Sequence, residues 1–167
     1  SDGGGIVNRG TMTIQGESVI SNNEASADGG GIDNDGGDSL TIIDSTISGN
    51  VAGQGGGGVY NDEGRTLTIS GSTISGKIID GTVEISAQRG GGIFNEGAVT
   101  ITGSTIRDHA VVQYGGGLFN TRGTVTVTSS TCITVTSITA AVIVHFWAAP
   151  SSGSVIEGAS ARAMRCG

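Results

Sequence analysis

Cysteine, proline, histidine and aromatic residues are all scarce in these 167 residues, and each scarcity removes a class of explanation. Two cysteines, Cys132 and Cys166, are too few for a disulfide framework. They leave either a buried thiol at Cys132 or a single bridge to Cys166. Two histidines, His109 and His145, stand at unrelated places and make a poor zinc set. Basic residues are few: eight Lys and Arg against fifteen acids give a formal charge of −7. Nucleic acid needs a basic footprint, so it is excluded as a partner, whereas a soluble extracellular or cation-binding surface is compatible. A membrane-spanning helix needs about 20 apolar residues. The apolar stretch 140–147 is too short for that, so no membrane span is expected. No Gly-x-Ser-x-Gly elbow is present, so the nearness of Ser104, Asp108 and His109 in sequence does not make a serine hydrolase.

Glycine, by contrast, is abundant, with 32 copies, and its placement organises the chain. Five phrases of three glycines, an aliphatic residue, any residue and an asparagine end at Asn8, Asn34, Asn61, Asn95 and Asn120. Their first glycines are Gly3, Gly29, Gly56, Gly90 and Gly115, separated by 26, 27, 34 and 25 residues. A nearly fixed period with no helical pattern inside it implies one solenoid coil per phrase. After each phrase comes an alternating run such as Leu40-Thr41-Ile42 or Leu67-Thr68-Ile69, then a short segment such as Ser45-Thr46-Ile47 or Ser72-Thr73-Ile74. Period-two alternation of β-branched residues means a strand with one buried face. Three strands per coil, separated by Gly, Asn, Asp and Ser turns, is the plan of an all-β parallel β-helix of about five coils.

Coils stacked about 4.8 Å apart put equivalent residues above one another. The expected interior columns start at Ile6, Met12, Ile14 and Ile20, and the last of them ends at Cys132. The asparagines share the parity of the aliphatic residue two before them. They are therefore expected to face inward and to pair as a stack of amides. The glycines allow positive φ and close approach between coils.

These phrases resemble the Gly-Gly-rich repeats of right-handed parallel β-helix proteins, namely bacterial surface adhesins and polymorphic outer-membrane-type passenger domains. The resemblance covers about residues 1–132. The strict pairing of a Gly-Gly-Ala motif with a separate Phe-x-x-Asn motif is absent. What the resemblance implies is the right-handed β-helix fold and an extracellular or cell-surface setting.

The repeats occupy residues 1–132, and residues 133–167 differ in composition and are expected to form a C-terminal cap. The chain begins two residues before a glycine phrase, already inside the repeat, so a removed precursor segment or a longer parent protein is expected. An uncapped first coil would expose a strand edge and invite an end-to-end homodimer. Coil three carries about eight extra residues within 76–89, an insertion expected to loop out.

Candidate site residues follow from the asparagine positions. The residue before each asparagine is expected to face outward, giving Val7, Asp33, Tyr60, Phe94 and Phe119. The residue after it gives Arg9, Asp35, Asp62, Glu96 and Thr121. An aromatic column beside a carboxylate column suits a sugar ring, whose apolar face packs on the aromatics while acids take its hydroxyls. Asp33, Tyr60, Phe94 and Phe119 are the candidate ligand-binding residues for a polysaccharide or cell-surface ligand. Asp35, Asp62 and Glu96 are the candidate catalytic acids of a glycoside hydrolase or polysaccharide lyase. Carboxylates about 5–5.5 Å apart serve retaining glycosidases and those about 6.5–9.5 Å apart serve inverting ones. No cofactor is required, and the oxygen-rich row leaves room for calcium. The Thr-x-Thr rows (Thr11/Thr13, Thr66/Thr68, Thr100/Thr102) resemble the ice-binding face of β-solenoid antifreeze proteins, although Thr also simply favours strands. The reading is thus an extracellular β-helix module that binds carbohydrate, with an enzyme, a structural spacer and an ice-binding solenoid as alternatives.

Overall fold

The computed structural model describes residues 3–36, 38–80, 82–130, 135–137 and 142–145. Those residues form a parallel β-solenoid with three principal sheets and no helix. The first sheet takes Ile6–Val7, Ile32–Asn34, Val59–Asn61, Ile93–Asn95 and Leu118–Asn120, in that spatial order. The second takes Thr11–Ile14, Ser39–Ile43, Thr66–Ser70, Ala98–Thr102 and Thr124–Thr128. The third takes Val19–Ser21, Thr46–Ser48, Thr73–Ser75 and Thr105–Arg107. The three are the asparagine, threonine and serine sheets, each named after a polar residue that recurs in it. Among the described residues four turns carry all three faces, against about five expected, and the fifth contributes to two. The third-face segment of that fifth coil runs through 131–134, outside the described residues. Two pieces of the C-terminal stretch, Val135–Ser137 and Val142–His145, add parallel strands to the asparagine and threonine sheets. The remainder of the expected cap, with Cys132 and Cys166, also lies outside the described residues.

Strict register holds the coils in phase. Leu40, Leu67, Val99 and Val125 pair in one column and Ile42, Ile69, Ile101 and Val127 in the next. With Ile47, Ile74 and Ile106 from the serine sheet and Ile32, Val59, Ile93 and Leu118 from the asparagine sheet, they fill the interior and are at most 1% exposed. Each fully buried aliphatic side chain contributes about 1.5–3 kcal/mol, so the core is a set of like-on-like columns that a one-residue slip would turn outward.

The triglycines do three separate jobs, seen at coil three. Gly56 has φ 65°, a conformation that costs glycine nothing and other residues strain. A Cβ on Gly57 would lie 2.5 Å from the carbonyl oxygens of both Gly91 and Ser86. A Cβ on Gly58 would lie 2.5 Å from the Gly92 carbonyl oxygen and 2.8 Å from an Ile74 methyl. The first glycine turns the chain, and the other two let neighbouring coils close to backbone contact.

The asparagines face inward as parity predicts. Asn8, Asn34, Asn61, Asn95 and Asn120 are at most 2% exposed. Each Nδ2 donates to the Oδ1 of the next coil's asparagine at 2.7 Å, four links in one direction. Second donations reach turn carbonyls, such as Asn8 to Ser39 at 3.0 Å and Asn95 to Gly97 at 2.9 Å. This satisfies buried amides that would otherwise be costly.

A second, shorter amide corner follows the serine sheet. Asn50 Oδ1 accepts from Asn23 Nδ2 at 3.0 Å, and Asn50 Nδ2 donates to the Ile20 carbonyl at 3.0 Å. In coil three this corner is interrupted by the expected insertion, an antiparallel hairpin of Ile78–Ile79 with Thr82–Val83. A Lys77–Glu84 ion pair at 3.2 Å closes its base. Directly beyond it Ile85–Arg89 pairs with Ala110–Tyr114 through two register shifts, and the strict register resumes at Ile93, paired to Val59 and Leu118. In coil four His109 takes the asparagine's place. Its Nε2 lies over Gly92 as the Asn50 amide lies over Gly31.

Candidate functional site

The outer side of the asparagine sheet carries the candidate residues, and the structure divides them. Tyr60, Phe94 and Phe119 form one column, with Tyr60 and Phe94 stacked at 5.3 Å and Phe94 and Phe119 edge-on at 5.3 Å. The expectation that all three are available to a ligand is corrected here. Phe94 is 7% exposed and Phe119 fully buried, and only Tyr60 keeps a partly open ring. Asp33, also expected outward and open, is 2% exposed.

The cover comes from residues that sequence reasoning passed over: Asp28, Gly55, Arg89 and Tyr114, each immediately before a triglycine. The positive-φ glycine turns the chain so that this residue lies across the column four or five positions later. A bridge joins Gly55 to Arg89, and Arg89 pairs with Tyr114, so these residues form an outer column of their own. Tyr114 stacks on Phe119 at 5.9 Å, and the Arg89 guanidinium stands 5.8 Å from the centre of the Phe94 ring. Gly55 packs so closely that a Cβ there would lie 2.7 Å from the Phe94 ring. The available signal was positional, a single variable residue before every triglycine.

Where that cover is thinnest a pocket of about 240 Å³ opens, lined by Asp28, Asp33, Asp35, Tyr60 and Asp62. Asp35 and Asp62 are thus brought together, joined by the unforeseen Asp28. Glu96 is not among them. Its Oε2 accepts from the Tyr60 hydroxyl at 2.6 Å and its Oε1 from the Thr121 hydroxyl at 3.0 Å. It lines a separate groove with Glu63, Arg65 and Arg122. Burial, the hydrogen bond to Glu96 and the negative charges of Glu96, Asp62 and Asp28 all push the Tyr60 phenol upward. Tyr60 therefore stays protonated and remains a donor, fixing both its own ring and the Glu96 carboxylate. Among the described residues no group of three or more His, Cys, Asp or Glu is arranged to hold a metal ion.

His109 does not join a hydrolytic triad. Its Nδ1 lies 3.3 Å from the Ser86 hydroxyl, which also donates to the Ala110 carbonyl, while Ser104 donates to the Thr102 carbonyl. Burial lowers its pKa to about 4, against the opposing pull of the Ile74 backbone and Asp108. Between pH 6.5 and 4 the unfolded chain binds a proton that the folded protein refuses. Stability contributed by neutral His109 is therefore complete above pH 6.5 and falls as the pH drops toward 4, by about 3 kcal/mol in all. His109→Asn restores the corner amide of Asn50 and should flatten that part of the profile, read as urea midpoints from pH 7 to pH 4.

Comparison with known proteins adds one local finding. Residues 44–62 match the model of the Chlamydia polymorphic membrane protein repeat. The match runs from the turn before the serine-sheet strand Thr46–Ser48 through the coil-three triglycine to Tyr60, Asn61 and Asp62. It therefore contains the asparagine that anchors the stack and two residues of the pocket. This similarity and the parallel solenoid agree with a repeat of the polymorphic membrane protein kind. No curated protein and no solved structure matches the chain. No helix among the described residues is long and apolar enough to cross a membrane.

Proposed function

We propose that this β-helix is a surface-displayed module that binds carbohydrate in the pocket beside Tyr60. The observation that carries the reading is the pairing of a partly open aromatic ring with the carboxylates of Asp28, Asp35 and Asp62 in one recess. A sugar ring presents an apolar face to the tyrosine and hydroxyl donors to the acids, and neither element alone would select it. The polymorphic membrane protein repeat match supports a cell-surface or outer-membrane-associated setting. A second reading, hydrolysis or lyase cleavage, is favoured only by Asp35 and Asp62 lining the same recess. Glu96 sits outside it with both oxygens engaged by hydroxyls.

The test is a polysaccharide panel scored for retention and for release of reducing ends, with and without calcium. Retention that falls at least tenfold in Tyr60→Ala and in Asp62→Asn, with no release, is the expected result; tenfold is about 1.4 kcal/mol of binding free energy. Release abolished by Asp62→Asn would replace binding with catalysis. Retention that ignores both substitutions would sink the pocket altogether. Calcium-dependent retention would assign a cation to the aspartates.

A further inference from the structure

We propose that the outer face of the threonine sheet is an ice-binding surface, independent of the pocket beside Tyr60. Five of its six strands read TMTI, SLTII, TLTIS, AVTIT and TVTVT, and these five pair residue for residue without a bulge. Thr13, Thr41, Thr68, Thr100 and Thr126 therefore form one unbroken column. Beside it run Thr11, Ser39, Thr66, Ala98 and Thr124 on one flank, and Ile43, Ser70, Thr102 and Thr128 on the other.

Three properties separate this face from ordinary exposed strand. First, these five strands carry no charged side chain at any outward position, although the chain holds 15 acids and 8 bases. Solvent-facing strands ordinarily carry charges that keep them soluble and unpaired. Second, none of its hydroxyls in the first four coils is engaged by the protein among the described residues. The buried serines at the next corner behave differently: Ser45, Ser72 and Ser104, at most 4% exposed, turn their hydroxyls back to carbonyls two residues earlier, at 2.7–2.9 Å. The threonine hydroxyls are thus a regular set of donors and acceptors committed to nothing but water. Third, the spacing is two-dimensional, about 4.8 Å between coils and about 6.6 Å between alternate residues along a strand. Those repeats lie near the oxygen spacings of a prism face of hexagonal ice. Each threonine adds a methyl beside its hydroxyl, which disfavours disordered water between the anchoring points. A soluble sugar needs a recess, whereas a crystal of water needs a regular lattice, and the unbroken register of this face supplies one.

The experiment uses the full chain and measures thermal hysteresis together with incorporation into a growing ice hemisphere. The wild type should show a freezing-point gap and enter the ice. Thr68→Lys/Thr100→Lys should lose both while keeping the far-UV spectrum, and Thr73→Lys on the serine sheet should keep both. Should the double variant fail to fold, Thr68→Tyr retains a strand-forming residue, breaks the flatness and should also lose the gap. No gap in the wild type overturns the proposal, as does equal loss in Thr73→Lys. Retention on crystalline cellulose without hysteresis, or a dimer that hides this face in solution, assigns it another occupant and overturns the proposal as well.

Discussion

Gly57→Ala should destabilise the stack by about 3 kcal/mol or more. The new Cβ would meet the Gly91 and Ser86 carbonyl oxygens, both at 2.5 Å. Neither is the end of a flexible side chain; both are backbone, Gly91 of the adjoining coil and Ser86 of the segment that follows the coil-three insertion. Relief requires the coils to separate, which breaks the Gly57-to-Gly90 and Gly58-to-Gly91 amide contacts at 3.3 and 3.1 Å. Overpacking of an interior typically costs about 1–3 kcal/mol, and this case belongs at or above the upper end. Urea unfolding followed by far-UV circular dichroism gives the number. Gly10→Ala is the control, because nothing lies within 4 Å of a Cβ there and its φ is not positive. That substitution should be neutral or stabilise by about 0.4–1 kcal/mol through the unfolded chain. Equal midpoints for the two variants would mean that the glycines serve only as turns.

Asn61→Ala is the second large effect. The Asn61 amide accepts from Asn34 and donates to Asn95, both at 2.7 Å. Truncation leaves the Asn34 Nδ2 without its acceptor and the Asn95 Oδ1 without its donor, inside a column where every neighbour is fully buried. Each orphaned buried group costs about 1–3 kcal/mol, so the expected loss is about 4 kcal/mol. Asn8→Ala, at the end of the stack, removes one stack partner, the donor to Asn34 Oδ1, and should cost about half as much. If the two substitutions cost the same, the links do not act as a connected network.

The inward half of this molecule was legible in its sequence, and the outward half was not. Alternation fixes which side of a strand a residue takes, so the Leu40 and Ile42 columns and the inward asparagines followed from counting. Burial on the outer side does not follow from parity. Phe94 and Phe119 lie on the side expected, yet the chain before each triglycine folds back over them, and that cover depends on one positive-φ residue per coil. Glu96 shares the parity of Asp35 and Asp62 but is captured by Tyr60 and Thr121, partners set by side-chain reach across coils. His109 as a substitute asparagine was visible only by aligning Ser21-Asn22-Asn23 and Ser48-Gly49-Asn50 with Arg107-Asp108-His109, a comparison that needs the turns to be known first. Among the described residues four coils carry all three faces, against about five expected, because the third-face segment expected at Ser130 to Cys132 falls mostly outside them.

The coil-three hairpin carries a consequence of its own. It leaves and re-enters the stack at one corner, its base is clasped by Lys77 and Glu84, and the columns on either side of it stay aligned. The rod and its protrusion are therefore separable inventions. Natural variation can lengthen, shorten or exchange the protrusion as a cassette, because nothing inside the stack reads its length. Exposed Ile78 and Ile79 show that such a cassette is free to carry side chains the rod itself could not hide.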